Sequence, residues 1–234
     1  MTASSQARFH GQPVRLVLFD LDGTLADTAP DLAYALNQTL LRHGRPSLPF
    51  ERIRPHVSHG GAALVRFGFG ITPDHPDFER YRQDLLATYQ ANLTRETTLF
   101  PGMDPVLEEL QQASIAWGIV TNKPSWLTDP LVSAMGLSRR AACVVSGDTT
   151  AHSKPHPEPI LYACRMAQTE PAACLYVGDA ERDIVAGRHA GTHTLAALFG
   201  YLGDEDRPRE WGADDTVSRP GEILDKLGLT LPVE

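Results

Sequence analysis

Apolar residues in this chain gather into short, nearly continuous runs separated by longer stretches with helical spacing. The runs are Val14–Phe19, Trp117–Thr121, Cys143–Ser146, Leu175–Val177 and Thr194–Ala197. A strand with one wet face alternates apolar and polar residues; a continuous run marks a strand covered on both faces, as in a parallel sheet between two helix layers. Runs of this kind alternating with helical segments predict βαβ units. The first run stands alone near the N-terminus, and the other four follow after about residue 115.

The interval between them reads as helical. Leu32, Leu36 and Leu40 recur every four residues and make one apolar stripe. Pro30 suits a first helical position, Asp31 complements the positive end of the helix dipole, and Gly44 is placed to end the helix. A second helix is expected from Asp77 to Ala91. Between the two, Gly60, Gly61, Gly68 and Gly70 break an apolar segment and allow tight turns near Val57–Ile71. The pattern predicts an α/β fold: a Rossmann-like parallel sheet core with helices on both faces, plus an inserted α-helical cap. The core takes residues 14–28 and 98–234, the cap residues 29–97, and residues 1–13 form a loose polar tail. Such a cap sits over the carboxyl ends of the strands, where open α/β sheets bind ligands.

Composition changes this picture little. With 42% apolar and 21% charged residues, the chain reads as an ordinary soluble globular protein. No run approaches the roughly 18 apolar residues of a membrane span, and the first residues lack the apolar core of a secretory signal, so a cytoplasmic location is expected. Cys143, Cys164 and Cys174 form no C-x-x-C pair, which leaves buried thiols as the expectation. A net charge of -8 argues against nucleic acid as a partner. It also means that an anionic ligand needs locally placed positive charge. Lysine is scarce: Lys123, Lys154 and Lys226 stand against 18 arginines. Nothing in the sequence speaks to oligomeric state.

The chemistry concentrates at strand ends. Arg15-Leu-Val-Leu-Phe-Asp20-Leu-Asp22-Gly23-Thr24 delivers two carboxylates, one residue apart, at the end of a buried run. Three elements follow in order: Thr121-Asn122-Lys123, then Ser153-Lys154-Pro155, then Gly178-Asp179 with Asp183. Parallel strands point their carboxyl ends the same way, so Asp20, Asp22 and Asp179 converge at one edge of the sheet. Clustered carboxylates repel and call for a cation, and hard oxygen donors with room for water suit Mg2+.

This ordered set resembles the four motifs of the haloacid dehalogenase superfamily of phosphatases. The resemblance runs from about Val14 over nearly the whole chain and looks most like the phosphoglycolate phosphatase group. Thr121–Pro124, Ser153–Pro159 and Phe199–Gly212 look closest to a subgroup that includes N-acetylmuramic acid 6-phosphate phosphatases. The resemblance implies that Asp20 attacks phosphorus and that Asp22 protonates the leaving alcohol and then activates water. It implies that Asp20, the Asp22 main-chain carbonyl and Asp179 hold Mg2+, with Asp183 supporting them. It further implies that Thr121 and the Asn122 amide bind phosphate oxygens, with Thr24 beside them, while Lys154 balances charge. His59, Gly60, Gly61 and Arg66 are the expected substrate contacts from the cap, since a carboxylated or sugar-like leaving group wants such donors. Trp117 and Trp211 read as packing aromatics, and His152 and His156 as solvated loop residues.

The expected substrate is a small carboxylated phosphomonoester. N-acetylmuramic acid 6-phosphate and 2-phosphoglycolate both fit, with a slight preference for the sugar acid. A phosphonate-cleaving relative would need a cap lysine, and residues 25 to 100 contain none. A sugar-phosphate mutase and a non-catalytic binding module share the core residues and stay open at this point.

Overall fold

The computed structural model describes residues 7–229. Six parallel strands form one sheet: β1 (Leu16–Phe19), β2 (Ala116–Val120), β3 (Val144–Val145), β4 (Cys174–Gly178), β5 (His193–Ala197) and β6 (Asp215–Val217). Their spatial order is β6-β5-β4-β1-β2-β3. All four residues of β1 are buried, and the strand pairs with β2 on one side and β4 on the other. The chain leaves β1 outward through β2 and β3, then crosses to build β4, β5 and β6 on the far side. The strand order therefore reverses around β1, the place where ligands bind outside the carboxyl ends.

Helices α1 (Ala29–Arg42), α2 (Gly60–Phe69) and α3 (Phe78–Gln90) lie between β1 and β2 in the chain and pack on one another. Leu36, Leu40, Leu64 and Leu85 are fully buried among them, each contributing roughly 1.5–3 kcal/mol. Helices α4 (Met103–Gln112), α5 (Ser125–Ala134), α6 (Glu158–Met166), α7 (Glu181–Ala190) and the short α8 (Glu222–Lys226) follow in turn. The chain enters and leaves the α1–α3 segment through a short antiparallel ribbon, Ala26–Asp27 against Thr98–Leu99. The buried Asp31 carboxylate reinforces that crossing. It accepts hydrogen bonds from the Glu96 and Thr97 amides at 2.9 to 3.1 Å and from the Thr97 hydroxyl at 2.8 Å.

The structure departs from the sequence reading in three places. The glycine-interrupted segment is a helix, not a set of turns: a 3-10 turn over Arg54–His59 leads into α2. A side chain at Gly68 would press on Leu36 of α1, so that glycine permits close helix packing, and left-handed Gly70 ends the helix. Of the expected loose tail, residues 1–6 lie outside the described residues. Residues 8–13 form a two-stranded ribbon, Arg8–Phe9 with Gln12–Pro13, because Ala7 and Phe9 are buried in the core. Finally, β6 escapes a sequence reading, since Asp-Thr-Val at an edge lacks a continuous apolar run.

Candidate active site

The turn after β1 is built around the Leu21 carbonyl, which accepts amides from Thr24, Leu25 and Ala26 at 2.9 to 3.4 Å. Leu21 and Leu25 are fully buried and anchor the turn, which leaves Asp20 and Asp22 facing one cavity. Gly23, at φ 88°, lies against Asp179; a Cβ there would overlap that carboxylate, and so would one at Gly200 on its other side. The two glycines let the backbone close around Asp179.

Lys154 lies wholly buried beneath Asp20. Its ammonium donates to Asp20 Oδ1, the Val120 carbonyl and the Tyr176 hydroxyl, each at 2.8 Å. It also sits 2.7 Å from Asp183 Oδ1 as an ion pair. Asn122 fixes the loop that carries this lysine: Nδ2 donates to the Lys154 carbonyl at 2.8 Å, and Oδ1 accepts the Lys154 amide at 3.0 Å. Thr121 Oγ1 accepts the Lys123 amide at 3.1 Å.

Asp22 Oδ1 accepts from Lys123 Nζ at 2.8 Å and from the Thr28 hydroxyl at 2.5 Å. Burial opposes charge on Lys123, but Asp22 and Tyr89 outweigh it and hold the ammonium above its ordinary pKa. The Tyr89 hydroxyl of α3 lies 3.2 Å from the same nitrogen, and burial pushes its pKa up to about 12.

Asp179 follows β4 and draws donors from several parts of the chain. Oδ2 accepts the Tyr201 amide at 2.9 Å and the Ser58 hydroxyl at 2.8 Å; Oδ1 accepts from Thr24 at 3.3 Å. Even so, burial first, then Asp20 and Asp183, push its pKa up to about 7. Asp183 in the first turn of α7 is also raised, again mainly by burial, and its Oδ2 caps the Ala180 amide at 3.1 Å.

Asp20, Asp179 and Asp183 each offer an oxygen, all within 4.8 Å of one another. Four carboxylates (with Asp22) face three cations, Lys123, Lys154 and Arg182, before any anionic ligand arrives. Burial first, then the neighbouring Asp20 and Asp183, raise Asp179, and a cation would offset the repulsion among the three. An all-oxygen, net-anionic cluster beside a cavity fits a hard divalent cation such as Mg2+.

The cavity, about 320 Å³, is lined by Asp20, Asp22, Thr121 and Asn122 from the sheet side, and by His59, Gly60 and Gly61 facing them. Two expected contacts are absent from it. Thr24 is fully buried and its hydroxyl is spent on Asp179. Arg66 is exposed outside the cavity, because five residues along α2 from Gly61 turn it about 140° away. Sequence reasoning in turn misses Ser58, Arg82, Tyr89 and Arg182. Arg182 stands between the two aspartates of the Asp179 motif and Ser58 next to His59; Tyr89 gives no signal beyond its place on a helix. Lys123 belongs to its motif without a predicted role. Trp117 and Trp211 are buried packing residues, and His152 and His156 are exposed.

A sequence profile described as "Haloacid dehalogenase-like hydrolase" matches residues 17–197. An "N-acetylmuramic acid 6-phosphate phosphatase" of Pseudomonas putida is 40% identical over 210 residues, covering 90% of this chain and 94% of its own. A "Phosphoglycolate phosphatase" of Xanthomonas campestris pv. campestris is 42% identical over 219 residues, covering 93% and 98%. Among solved structures, a "predicted phosphoglycolate phosphatase" from Haemophilus somnus superposes with a TM-score of 0.80 at 26% identity, over 91% of this chain and 97% of that one.

Proposed function

Because this chain belongs to the haloacid dehalogenase-like hydrolases, we propose that it is a Mg2+-dependent phosphomonoesterase with Asp20 as its nucleophile. One observation carries the reading: Asp20, buried and ion-paired to Lys154, shares a cavity with a second carboxylate, Asp22, two residues on.

A carboxylate oxygen of Asp20 attacks phosphorus, the ester P–O bond breaks, and the leaving oxygen takes a proton from Asp22. Water then gives a proton to Asp22 and attacks the aspartyl-phosphate, releasing phosphate and free Asp20. Both contacts of Asp22 fall on Oδ1, which leaves Oδ2 for the proton transfers. Splitting one hard displacement into two easier ones suits a carboxylate nucleophile. Asp20, the Asp22 carbonyl and Asp179 would hold Mg2+, with Asp183 beside them. The bound cation supplies positive charge against the phosphoryl oxygens, so that two anions can meet. Lys154 holds Asp20 in place through its ion pair at 2.8 Å, while Thr121 and the Asn122 amide hold the phosphoryl group.

Residues 29–97 act as a cap over this cavity, hinged at the ribbon formed by Ala26–Asp27 and Thr98–Leu99. The substrate is a carboxylated phosphomonoester. The names of the relatives support both N-acetylmuramic acid 6-phosphate and 2-phosphoglycolate. A cavity of about 320 Å³ lies at the lower end of the roughly 300–1,000 Å³ of drug-sized ligand sites and has room for the sugar acid. Buried, unpaired cysteines fit a reducing cytoplasm, and no described helix is long and apolar enough to cross a membrane.

The test compares kcat/KM for these two esters with ordinary hexose phosphates, with Mg2+ and with EDTA. Asp20→Asn should lower kcat at least ~10³-fold with little change in Tm; an active, folded variant would refute the covalent mechanism.

A further inference from the structure

Basic side chains line the cavity or lie just beneath it, and all but one of them make a salt bridge or are held toward neutrality. Lys123 is paired with Asp22. Arg82 donates from Nε and Nη2 to the two carboxylate oxygens of Glu79 on its own helix, both at 2.8 Å. His59 is held toward its neutral form, first by burial and then by Arg182. Lys154, beneath Asp20, is spent on Asp20 and Asp183.

Arg182 differs. It stands in the first turn of α7, three residues past Asp179, and its guanidinium reaches the cavity wall. One donor, on Nη2, goes to the Ser58 carbonyl at 2.7 Å. Among the described residues it makes no salt bridge. Asp20, Asp179 and Asp183 act on it only across a distance, so its remaining N–H groups have no carboxylate at contact. An arginine fork matches a carboxylate bidentately, and the Ser58 bond fixes its direction from the opposite side of the cavity.

We propose that Arg182 is the specificity-determining residue that binds the carboxylate of the substrate. This rests on the proposed function: the phosphoryl group lies at Asp20 and the carboxylate of the same molecule reaches Arg182. Recognition then comes from the sheet-side motif between Asp179 and Asp183, not from Arg66 or another arginine of the α1–α3 segment.

Two substrate pairs test it: 2-phosphoglycolate with ethyl phosphate, which has a methyl in place of the carboxylate, and N-acetylmuramic acid 6-phosphate with N-acetylglucosamine 6-phosphate, which lacks the whole lactyl group that carries it. The wild-type ratio of kcat/KM within a pair measures carboxylate recognition. Arg182→Gln should lower that ratio roughly 10- to 100-fold, as expected for a lost hydrogen bond to a charged group. Most of the loss should appear in KM of the carboxylated member. The pair that responds identifies the source of the carboxylate. Arg182→Lys keeps the charge beside the three aspartates and should give an intermediate ratio, which serves if the glutamine variant fails to fold. A wild-type preference that survives both substitutions overturns the assignment while leaving the phosphatase reading intact. So does an equal loss on both members of a pair, which means a structural role. No wild-type preference in either pair overturns the carboxylated-substrate reading, and the assignment falls with it.

Discussion

Burial, Asp20 and Asp183 together push the Asp179 carboxyl up to about 7 from an ordinary 3.8, and the sign of the consequence follows by linkage. Between those values the folded protein holds a proton that the unfolded chain has lost. The contribution of this group to stability is therefore full below about 4 and fades as pH rises through about 7. An asparagine in its place would stay neutral throughout. In EDTA, the Tm of Asp179→Asn minus that of wild type should grow more positive from pH 5 to pH 7.5 and then level off. Each kcal/mol moves Tm by roughly 2–4 °C at this size. The loss of carboxylate acceptors for Ser58, Thr24 and Tyr201 adds an offset but no slope. Added Mg2+ should reverse the order at pH 7.5 by stabilising only the wild type. A difference flat in pH would mean that the protein already compensates the charge. At this scale the strand-end aspartates and Lys154 are legible in the sequence, because order along the chain and strand ends suffice to bring them together. Lys123 is legible only as a member of its motif, because neither strand order nor the motif says that its ammonium pairs with Asp22.

Between elements, one of the contacts that bind the helical segment to the sheet runs from Tyr89 of α3 through Lys123 to Asp22. The Lys123 ammonium sits 4.6 Å from the Tyr89 ring centroid as well as 3.2 Å from its hydroxyl. Removing only the hydroxyl in Tyr89→Phe keeps packing and the cation–π contact, and should cost about 0.5–1.5 kcal/mol. Lys123→Met strands a largely buried carboxylate and should cost more, about 3–5 kcal/mol. Urea denaturation of both variants, compared at equal m-value, decides this; equal losses would show that Asp22 finds another partner. Elements also show where sequence reasoning fails. Gly60, Gly61 and Gly68 each disfavour helix, yet α2 forms, because Gly61 and Gly68 let it press against Leu86 and Leu36. A preference summed along the chain carries no knowledge of what will pack across it. The five buried runs are legible for the opposite reason: continuous apolar composition is itself the condition for a place inside the sheet.

For the molecule as a whole, the sheet order matters most. Placing β1 between β2 and β4 gathers Asp20, Thr121 and Asp179 from three neighbouring strand ends, although they lie far apart along the chain. A molecule of net charge -8 thereby gathers two of its few lysines in one recess. The Lys154 side chain is 0% exposed and that of Lys123 6%, whereas Lys226, paired with Asp215, is 33% exposed. Acylating reagents that target primary amines should accordingly find one lysine of three. Treatment with an N-hydroxysuccinimide ester at pH 8, followed by peptide mass mapping, should modify Lys226 and spare the other two, with kcat retained. Modification of Lys123 at a comparable rate would mean that the recess opens widely in solution. So narrow a choice among the lysines has a practical use: beside the chain's α-amine, a fluorophore or solid support could be fixed at Lys226, away from the recess that holds the other two.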